Sequence, residues 1–279
     1  MAAPSSILTV EEVWRKYDSV EQRLTASVSE RMLDLAGLRP GMRVLDLATG
    51  RGEPAIPAAH RVGPSGVVVG VDLDEGLLQM ARERAAGEGV SNLDLRALNA
   101  ERLAGIPMAH FHATLARWGL MYFDSPIAAL SAARGAMVPG GILVAAVWAE
   151  PERVPYFTLP RRVLAKYKTL PPIVPDAPGT FRYAEMGQLQ RDFAVAGFTI
   201  DHVEEMEADV MEARSGVEVV AWTRAFGLTR LLNDLPEEIQ LAWEADLVNE
   251  AELLRTEDGR IRLGGVTRIV VASSVELAS

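Results

Sequence analysis

Cysteine is absent from the 279-residue chain. This absence excludes disulfide bonds, thiolate ligands for a metal ion and a cysteine nucleophile. The sequence also lacks an apolar run long enough to cross a bilayer, and its first residues lack the basic and apolar segments of a secretory signal. We therefore expect a cytoplasmic protein with no membrane partner.

Positive charge is also scarce, because 28 Lys and Arg residues face 38 Asp and Glu residues and give a formal net charge of -10. No run of Lys and Arg reverses this charge locally, so the chain is expected to repel nucleic acid. The four histidines form no cluster with carboxylates at the spacing of metal ligands, which predicts that no metal is bound. The expected partner is a small-molecule substrate, and a homodimer stays an open alternative for the oligomeric state.

The first half of the chain alternates between strand-like and helix-like segments, and 49% hydrophobic residues are enough to bury a sizeable core. After a helix over 10–36, apolar runs of strand length are predicted at 43–47, 67–71, 93–98, 111–115 and 142–148. Helical periodicity is present over 75–88 and 125–137. Such alternation predicts a parallel sheet with right-handed crossovers and helices on both faces.

Proline and glycine interrupt this alternation. A turn is predicted at Pro139-Gly140-Gly141, and the proline-rich segment 150–181 is interpreted as an irregular insertion that covers the site. Helices at 185–196, 217–226 and 236–255 and strands at 198–206 and 261–272 are predicted to follow. The chain is predicted to be one domain, 1–279. Its expected parts are a helical cap (1–38), a cofactor-binding core (39–149), a substrate lid (150–184 and 215–256) and segments that complete the sheet (185–214 and 257–275).

The strongest motif joins the first predicted strand to the helix that follows it. Val44-Leu45-Asp46-Leu47-Ala48-Thr49-Gly50-Arg51-Gly52 delivers a carboxylate and two glycines to a turn, where glycine lets the backbone approach a ligand closely. The next strand ends in Asp72, at about the spacing of twenty residues that a ribose-binding carboxylate requires. Together these features predict a nucleoside site at the carboxyl edge of the sheet.

Two kinds of nucleoside fit this motif. The spacing Gly50-x-Gly52-x-x-Ala55 matches the dinucleotide fingerprint of hydride-transfer enzymes, in which a pyrophosphate rests on the helix N-terminus. Here Asp46 precedes the loop and Glu53 is interpreted as part of the first helical turn, so both would repel a pyrophosphate. The carboxylates favour a ligand with a sulfonium and an ammonium group, and an NAD(P)-dependent oxidoreductase is the alternative.

The motifs of residues 10–149 resemble those of the class I S-adenosylmethionine-dependent methyltransferases, in a branch similar to the menaquinone and ubiquinone C-methyltransferases and their small-molecule relatives. Asp46-Leu-Ala-Thr-Gly-Arg-Gly looks like the first family motif, Gly70-Val-Asp72-Leu-Asp like the second, and Leu98-Asn99-Ala100-Glu101 like the third. Similar correspondences are found for Arg117-Trp118-Gly119-Leu-Met-Tyr after the fourth strand, Met137-Val-Pro-Gly-Gly-Ile142 before the fifth, and Tyr17-Asp18 in a helix that folds over the cofactor. The resemblance implies a doubly wound, Rossmann-like α/β sheet of seven mostly parallel strands with an antiparallel last strand.

The resemblance also implies which residues hold S-adenosylmethionine. The glycine turn would hold the methionine end, Asp72 the ribose hydroxyls and Leu73 one face of the adenine. The adenine edge would lie against Asn99 and Ala100. The expected cofactor-binding residues are Tyr17, Asp46, Ala48, Thr49, Gly50, Gly52, Asp72, Leu73, Asn99, Ala100, Arg117 and Trp118. Ala48 and Asn99 depart from the glycine and the aspartate that are more usual in the family.

No catalytic base stands out in the sequence. Three of the histidines, His60, His110 and His112, are expected on the side of the sheet away from the ligand. The catalytic candidates are therefore Arg117, Trp118 and His202. Arg117 could equally be a surface cation that pairs with Asp124, and Trp118 could belong to the core.

Aromatic residues provide the candidates for acceptor binding, because pockets for organic ligands are mostly apolar. They are Trp14, Tyr122, Tyr156, Phe157, Phe181 and Trp222. The resemblance implies methyl transfer from S-adenosylmethionine to an oxygen, carbon or nitrogen of a small molecule, in the biosynthesis of a natural product or a quinone-like metabolite. A protein of this fold that binds the cofactor but acts as a cyclase or a regulator is a further alternative.

Overall fold

The structure is a computed structural model. It describes residues 10–174, 176–226 and 228–274, without the side chains of residues 10–14, 229 and 230. The helices are α1 Val10–Leu35, α2 Ala55–Val62, α3 Glu75–Gly87, α4 Pro126–Ala136, α5 Pro155–Leu164, α6 Met186–Val195, α7 Gly216–Phe226, α8 Thr229–Asn233 and α9 Glu237–Glu252. Side-chain caps begin two of them: Asp74 accepts hydrogen bonds at α3, and Ser125 at α4. Among the described residues, no helix combines the length and the apolar character that a membrane crossing requires.

Seven strands form one sheet in the order β3-β2-β1-β4-β5-β7-β6. The strands are β1 Arg43–Leu47, β2 Val67–Asp72, β3 Leu93–Ala97, β4 Phe111–Arg117, β5 Met137–Trp148, β6 Phe198–Ala213 and β7 Ile261–Ser274. The first five pair in parallel, and β7 runs antiparallel to β5. The predicted fold class, a mostly parallel α/β sheet with an antiparallel last strand, is confirmed.

The segment 150–181 is not wholly irregular, contrary to the prediction. A 3-10 turn spans Pro151–Arg153, and Pro155–Leu164 forms α5. Pro155 occupies the first helical turn, where its missing N–H removes no hydrogen bond, whereas Pro160 lies inside the helix. Leu159 and Val163 bury one face of α5 in an apolar core. This burial stabilises the helix in spite of the internal proline.

Other element boundaries also differ from the prediction. The expected turn at Pro139-Gly140-Gly141 lies within β5, where Gly140 has a φ of +74°. The register between β4 and β5 shifts between Phe111 and Ala113, which is typical of a bulge that bends a strand without ending its pairing. Strand β6 continues to Ala213 instead of ending at Met206, and the short helix α8 has no counterpart in the prediction.

Two compact units can be distinguished in the chain. The larger unit consists of the described residues of 26–150, 173–207 and 266–279, and the smaller unit of those of 1–25, 151–172 and 208–265. Leu45 and Leu115 of the central strands are fully buried in the larger unit. Trp243 and Leu247 are fully buried in the core of the smaller unit. Each unit therefore has an apolar core of its own.

Candidate active site

The turn after β1 is fixed by backbone hydrogen bonds. Thr49 N–H donates to the carbonyl of Val71 at 3.0 Å, which ties the turn to β2. The Thr49 carbonyl accepts from the N–H groups of Gly52 and Glu53 at 2.9 and 3.1 Å. The Thr49 side chain lies against Gly70, where an added Cβ would come within 3.0 Å of it. Glycine at position 70 therefore leaves the space that Thr49 occupies.

Asp72 holds the same turn from the end of β2. Its Oδ2 atom accepts a hydrogen bond from Gly50 N–H at 2.8 Å, and Oδ1 accepts one from Asp74 N–H at 3.0 Å. Gly50 and Gly52 have φ angles of +52° and +87°, in the left-handed region where only glycine avoids a steric penalty. The motif thus places a carboxylate, with one hydrogen bond to each oxygen, beside the glycine turn.

Two residues other than glycine are also left-handed at this edge of the sheet. Ala48 follows β1 and Trp118 follows β4, and both have a φ of +54°. Such backbone strain is uncommon and collects at functional sites. The two segments are in close contact, because a Cβ added to Gly119 would lie 2.6 Å from the Cβ of Ala48. The ends of β1 and β4 therefore pack without room for another methyl group.

Asp46 is a fully buried carboxylate in β1, flanked by Gly70 of β2 and Leu115 of β4. Neither of its oxygens has a hydrogen-bond partner among the described residues. Burial raises the pKa of Asp46 from 3.8 to about 7, although the nearby Thr49 hydroxyl and the positive charge of Arg117 act in the opposite direction. The site therefore contains a carboxylate that lacks a partner and titrates near neutral pH.

Glu53 precedes the helix that it was predicted to begin, because α2 starts at Ala55. The buried Oε2 of Glu53 accepts a hydrogen bond from the Ser29 hydroxyl at 2.8 Å, and Oε1 accepts one from Arg84 Nη2 at 2.6 Å. Arg84 compensates part of the charge of Glu53, so the expected repulsion of an anion by Glu53 is weaker than predicted. The corresponding argument from Asp46 does not depend on Glu53.

Arg117 and Trp118 mark the end of β4. Arg117 is buried, and its Nη1 donates to Ser29 Oγ at 3.3 Å, so the alternative of a surface cation paired with Asp124 is wrong. Trp118 stacks on Trp148, with ring centroids 4.6 Å apart and 9° between the planes. Its Nε1 donates to a threonine hydroxyl of β7 at 2.9 Å. Trp118 is thus held by packing while the residue stays partly exposed.

Leu73 and Asn99 follow the neighbouring strands β2 and β3. Leu73 is 73% exposed, which is unusual for a leucine beside a buried strand. The Oδ1 atom of Asn99 accepts a hydrogen bond from Glu101 N–H at 2.7 Å, and the next residue, Ala100, is buried. This contact uses the amide oxygen of Asn99 and leaves its amide N–H donors out.

The expected cofactor-binding residues of the larger unit fall into two groups by exposure. The partly or largely exposed members are Ala48, Gly50, Asp72, Leu73, Asn99 and Trp118. The buried members are Asp46, Thr49, Gly52, Ala100 and Arg117. All of them lie at or beside the carboxyl ends of β1 to β4. The first group offers accessible surface to a ligand, whereas the second group has little accessible surface.

Tyr122 lies in a 3-10 turn shortly after β4, on an exposed surface. Its hydroxyl is 3.0 Å from the Thr180 hydroxyl, and partial desolvation raises the pKa of Tyr122. Gly179 N–H donates to the Met121 carbonyl at 2.9 Å, so the segment around Thr180 is attached to this turn. Phe181 itself is buried. The structure therefore brings Tyr122, but not the ring of Phe181, to an accessible position.

Most of the other expected aromatic residues meet in the smaller unit. The ring of Tyr17 lies 4.3 Å from that of Trp222, and Trp222 Nε1 donates to the Tyr156 hydroxyl at 3.1 Å. Phe157 packs edge-on against Tyr156. Trp222 is almost completely buried, whereas Tyr17, Tyr156 and Phe157 are partly exposed. The side chain of Trp14 lies outside the described residues.

The histidines lie away from this edge. His112 Nδ1 accepts a hydrogen bond from the N–H of Arg43, the first residue of β1, and His110 precedes β4. His60 pairs with Glu88 on the surface. His202 is exposed on β6, beside Glu204, and β5 and β7 separate β6 from β4 in the sheet. The structure therefore does not bring His202 to Arg117 and Trp118.

Ser29, Arg84 and Thr180 contact the site but were not predicted from the sequence. Ser29 and Arg84 come from α1 and α3, and no local pattern marks a hydroxyl or a guanidinium that will be buried beside a distant carboxylate. Thr180 lies in a proline-rich segment, and its neighbours in the sequence do not mark it as a site residue either. Across 10–174, 176–226 and 228–274, no group of three or more histidines and carboxylates could hold a metal ion.

Comparison with known proteins finds a methyltransferase domain and relatives that are named as methyltransferases. A profile described as a methyltransferase domain matches residues 44–141. Nocamycin O-methyltransferase of Saccharothrix syringae is 29% identical over 244 residues, which are 84% of this chain and 86% of that protein. The ubiquinone/menaquinone biosynthesis C-methyltransferase UbiE of Shewanella sp. (strain W3-18-1) is 31% identical over 163 residues, 56% of this chain and 63% of UbiE. The chain therefore contains a methyltransferase domain and is similar to a named O-methyltransferase over most of its length.

The solved structures agree on the fold of this methyltransferase. A SAM-dependent methyltransferase from Aquifex aeolicus superposes with a TM-score of 0.52 at 18% identity, over 70% of this chain and 92% of the other. At this identity the likeness concerns the fold alone. The chain spans less than two thirds of the length of UbiE, whereas it matches nocamycin O-methyltransferase over most of both proteins.

The contact between Ala48 and Gly119 yields a prediction for the stability of the methyltransferase. We expect Ala48→Gly to raise the free energy of unfolding by about 1 kcal/mol, because it removes a Cβ from a left-handed residue. Gly119→Ala should lower it by about 1–3 kcal/mol, since the new Cβ meets that of Ala48. Urea unfolding of both variants and of the double variant gives the coupling between them. Strictly additive effects would contradict the close contact.

Asp46 yields a prediction for the pH dependence of stability. Folding raises its pKa from 3.8 to about 7, so the folded protein binds this proton more tightly than the unfolded chain. The ionised side chain therefore destabilises the fold progressively from about pH 4 to pH 7, and no further above that. We expect Asp46→Asn to gain about 2–3 kcal/mol relative to the wild type between pH 5 and pH 8 in urea unfolding. Asp94, an exposed aspartate that pairs with Arg96, provides the control variant Asp94→Asn. An equal gain in stability in this control would refute the interpretation.

Proposed function

We propose that this methyltransferase transfers the methyl group of S-adenosylmethionine to an oxygen, carbon or nitrogen of a small-molecule acceptor. The reaction would belong to the biosynthesis of a natural product or a quinone-like metabolite, as the names of nocamycin O-methyltransferase and UbiE indicate for those relatives. The observation that carries the proposal is the partnerless, buried Asp46 beside the glycine turn that Asp72 holds.

Asp72 and Leu73 fit the nucleoside part of the cofactor. Each Asp72 oxygen accepts one backbone hydrogen bond and keeps a lone pair free for a ribose hydroxyl. The exposed Leu73 offers an apolar surface to one face of the adenine. Asn99 retains its amide donors and one lone pair for the adenine edge, beside Ala100. These four residues have the chemistry that an adenosine group requires.

The turn after β1 fits the positively charged end of the cofactor. Ala48, Gly50 and Gly52 present backbone, and Thr49 fixes the turn to β2. Asp46 has no exposed surface, so it would attract a sulfonium and an ammonium through its field and not by contact. The same field repels a pyrophosphate, which makes an NAD(P)-dependent oxidoreductase the weaker candidate.

The cofactor supplies a methyl group on a positively charged sulfur, ready for displacement. The chain must then hold the acceptor in line and keep water out, and such orientation alone accounts for roughly 7–11 kcal/mol of a barrier. Trp118, fixed by its stack on Trp148, and Arg117 would border the reacting group. No described histidine lies with them, so the acceptor would be one that ionises readily, such as a phenol or an activated carbon.

The acceptor would bind to aromatic residues of the segments 150–184 and 215–256, which we propose as the substrate lid. Tyr156 and Phe157 are the accessible members, and Trp222 holds Tyr156 through its indole N–H. Tyr17 packs on Trp222 and would order the same cluster. Its role toward the cofactor stays a prediction. Tyr122, protonated at neutral pH, would donate a hydrogen bond to an acceptor oxygen. Trp14 completes the proposed set, whereas the buried Phe181 is left out of it.

Thermal unfolding with S-adenosylmethionine, S-adenosylhomocysteine and NAD in parallel tests the cofactor assignment. Each sulfur nucleoside should stabilise the fold by about 2.7 kcal/mol at a hundred times its dissociation constant, whereas NAD should have no effect. Leu73→Ser should reduce this stabilisation, because it removes the apolar surface under the adenine. Leu253→Ser is the matched control, since Leu253 is an 82% exposed leucine of the smaller unit. Stabilisation by NAD alone would overturn the proposal.

Mass-spectrometric screening of phenols, quinols and amines for a gain of one methyl group tests the acceptor assignment. For any acceptor found, Tyr156→Ala should raise KM about tenfold, because an aromatic contact of the acceptor is lost, at unchanged affinity for S-adenosylhomocysteine. The exposed Val195 of the larger unit supplies a control, Val195→Ala. An unchanged acceptor KM in Tyr156→Ala would exclude this cluster from acceptor binding, and failure of the whole panel would leave the cyclase or regulator as the better candidate.

A further inference from the structure

Thr267 is a fully buried threonine of β7 that holds the indole of Trp118 by a hydrogen bond. Its Oγ1 atom accepts the Nε1–H of Trp118 at 2.9 Å and donates to the carbonyl of Val147 at 2.9 Å. A hydroxyl has one proton and two lone pairs, so the bond to Val147 uses the proton and leaves a lone pair for the indole. The direction of the hydroxyl is therefore set by the backbone of β5.

The pairing of β5 with β7 places this hydroxyl. Thr267 lies directly opposite Trp148 in the antiparallel register, and residues that lie opposite each other share one face of a sheet. The ring of Trp148 is the one on which Trp118 stacks, with 4.6 Å between the centroids. Two residues that pair across β5 and β7 thus restrain Trp118, one against the face of its ring and the other at its edge.

The two restraints act on different motions of the indole. Stacking holds the plane of the ring, but it resists rotation within that plane only weakly, because dispersion has no preferred direction. The guanidinium of Arg117 also lies over the ring, 4.9 Å from its centroid. The hydrogen bond to Nε1, in contrast, is directional and acts at one point of the ring edge. Of these contacts, the one with Thr267 is suited to select a rotation of the indole.

The rotation matters because of where Trp118 lies. It follows the carboxyl end of β4, and it is partly exposed. Its backbone is already fixed, since its N–H donates to the carbonyl of Ala146 at 2.8 Å and the next residue, Gly119, packs against Ala48. The orientation of the side chain is what remains to be set at this edge of the sheet.

We propose that Thr267 is a positioning residue of the methyl transfer, which fixes the rotation of the Trp118 indole beside the reacting group. The inference rests on the proposed function, in which Trp118 borders that group. It gives a role in the site to β7, a strand that supplies none of the residues proposed above for the cofactor or the acceptor. Because Thr267 is fully buried, it acts through Trp118 and not by contact with a ligand.

Replacement of Thr267 by valine keeps the shape of the side chain and removes the hydroxyl. Thr267→Val should raise the dissociation constant of S-adenosylmethionine about three- to tenfold, because only a fraction of the molecules then holds the indole in the orientation that the ligand requires. Thr267→Ser restores the hydroxyl and should return the constant toward the wild-type value. Isothermal titration of the full chain, without an acceptor, measures these constants. Thr267→Ala replaces Thr267→Val if that variant does not fold.

Thr114→Val is the matched control. Thr114 is another fully buried threonine of the sheet, on β4, but its hydroxyl has no hydrogen-bond partner among the described residues. Its replacement should leave the dissociation constant unchanged.

The hydrogen bond itself can be followed by NMR of isotope-labelled protein, in which Trp118→Phe assigns the indole N–H signal of Trp118. This N–H should exchange with solvent faster in Thr267→Val than in the wild type, and Thr267→Ser should restore its protection. In the Trp118→Phe background, Thr267→Val should weaken binding no further, because both changes remove the same hydrogen bond.

Weaker binding and faster exchange in Thr267→Val, reversed in Thr267→Ser and absent from Thr114→Val, support the positioning role. Unchanged affinity in Thr267→Val overturns it, even if stability falls. A loss that Thr267→Ser does not reverse, or one that persists in the Trp118→Phe background, also overturns it, because the hydroxyl would then not act through the indole. A wild type that binds neither S-adenosylmethionine nor S-adenosylhomocysteine contradicts the proposed function, whereas wild-type binding that Thr267→Val shares unchanged contradicts this inference alone.

Discussion

The parallel pairing of β1 with β2 on one side and with β4 on the other determines where this chain can do chemistry. Three strands that run the same way end at the same edge, so the glycine turn, Asp72 and Trp118 meet there. The strands β2 and β3 lie on one side of β1, and the strands from β4 onward lie on its other side. Such a reversal of strand order leaves a crevice, and open sheets bind their ligands in it.

The same edge is where the structure departs from what stability alone would favour. Asp46 is a carboxylate without a partner, and Ala48 and Trp118 hold backbone angles that glycine would adopt more easily. Burial, like-charge neighbours and strain commonly coincide at sites that bind or transform a ligand. Their coincidence within a few residues of the glycine turn is an argument for function that is independent of sequence similarity.

Local patterns account for most of the fold and for part of the site. Apolar runs such as 67–71 and 111–115 reveal buried parallel strands because both of their faces lie in the core. The spacing from Gly50 to Asp72 predicted that both belong to one site at the edge of the sheet, and the structure joins the two residues by a hydrogen bond. The partner of Glu53 was missed because Arg84 lies 31 residues away. Helix α5 was missed because burial of its apolar face outweighs the helix-breaking tendency of Pro160.

The stacked indoles of Trp118 and Trp148 give this edge an optical property. Two nearly parallel rings with centroids 4.6 Å apart couple their near-ultraviolet transitions, so their circular dichroism depends on the angle between them. Trp118 is also a left-handed residue at the end of β4, where a small change in the backbone turns its side chain. The edge therefore carries an intrinsic chromophore pair that senses its own geometry, and no label has to be attached to observe it.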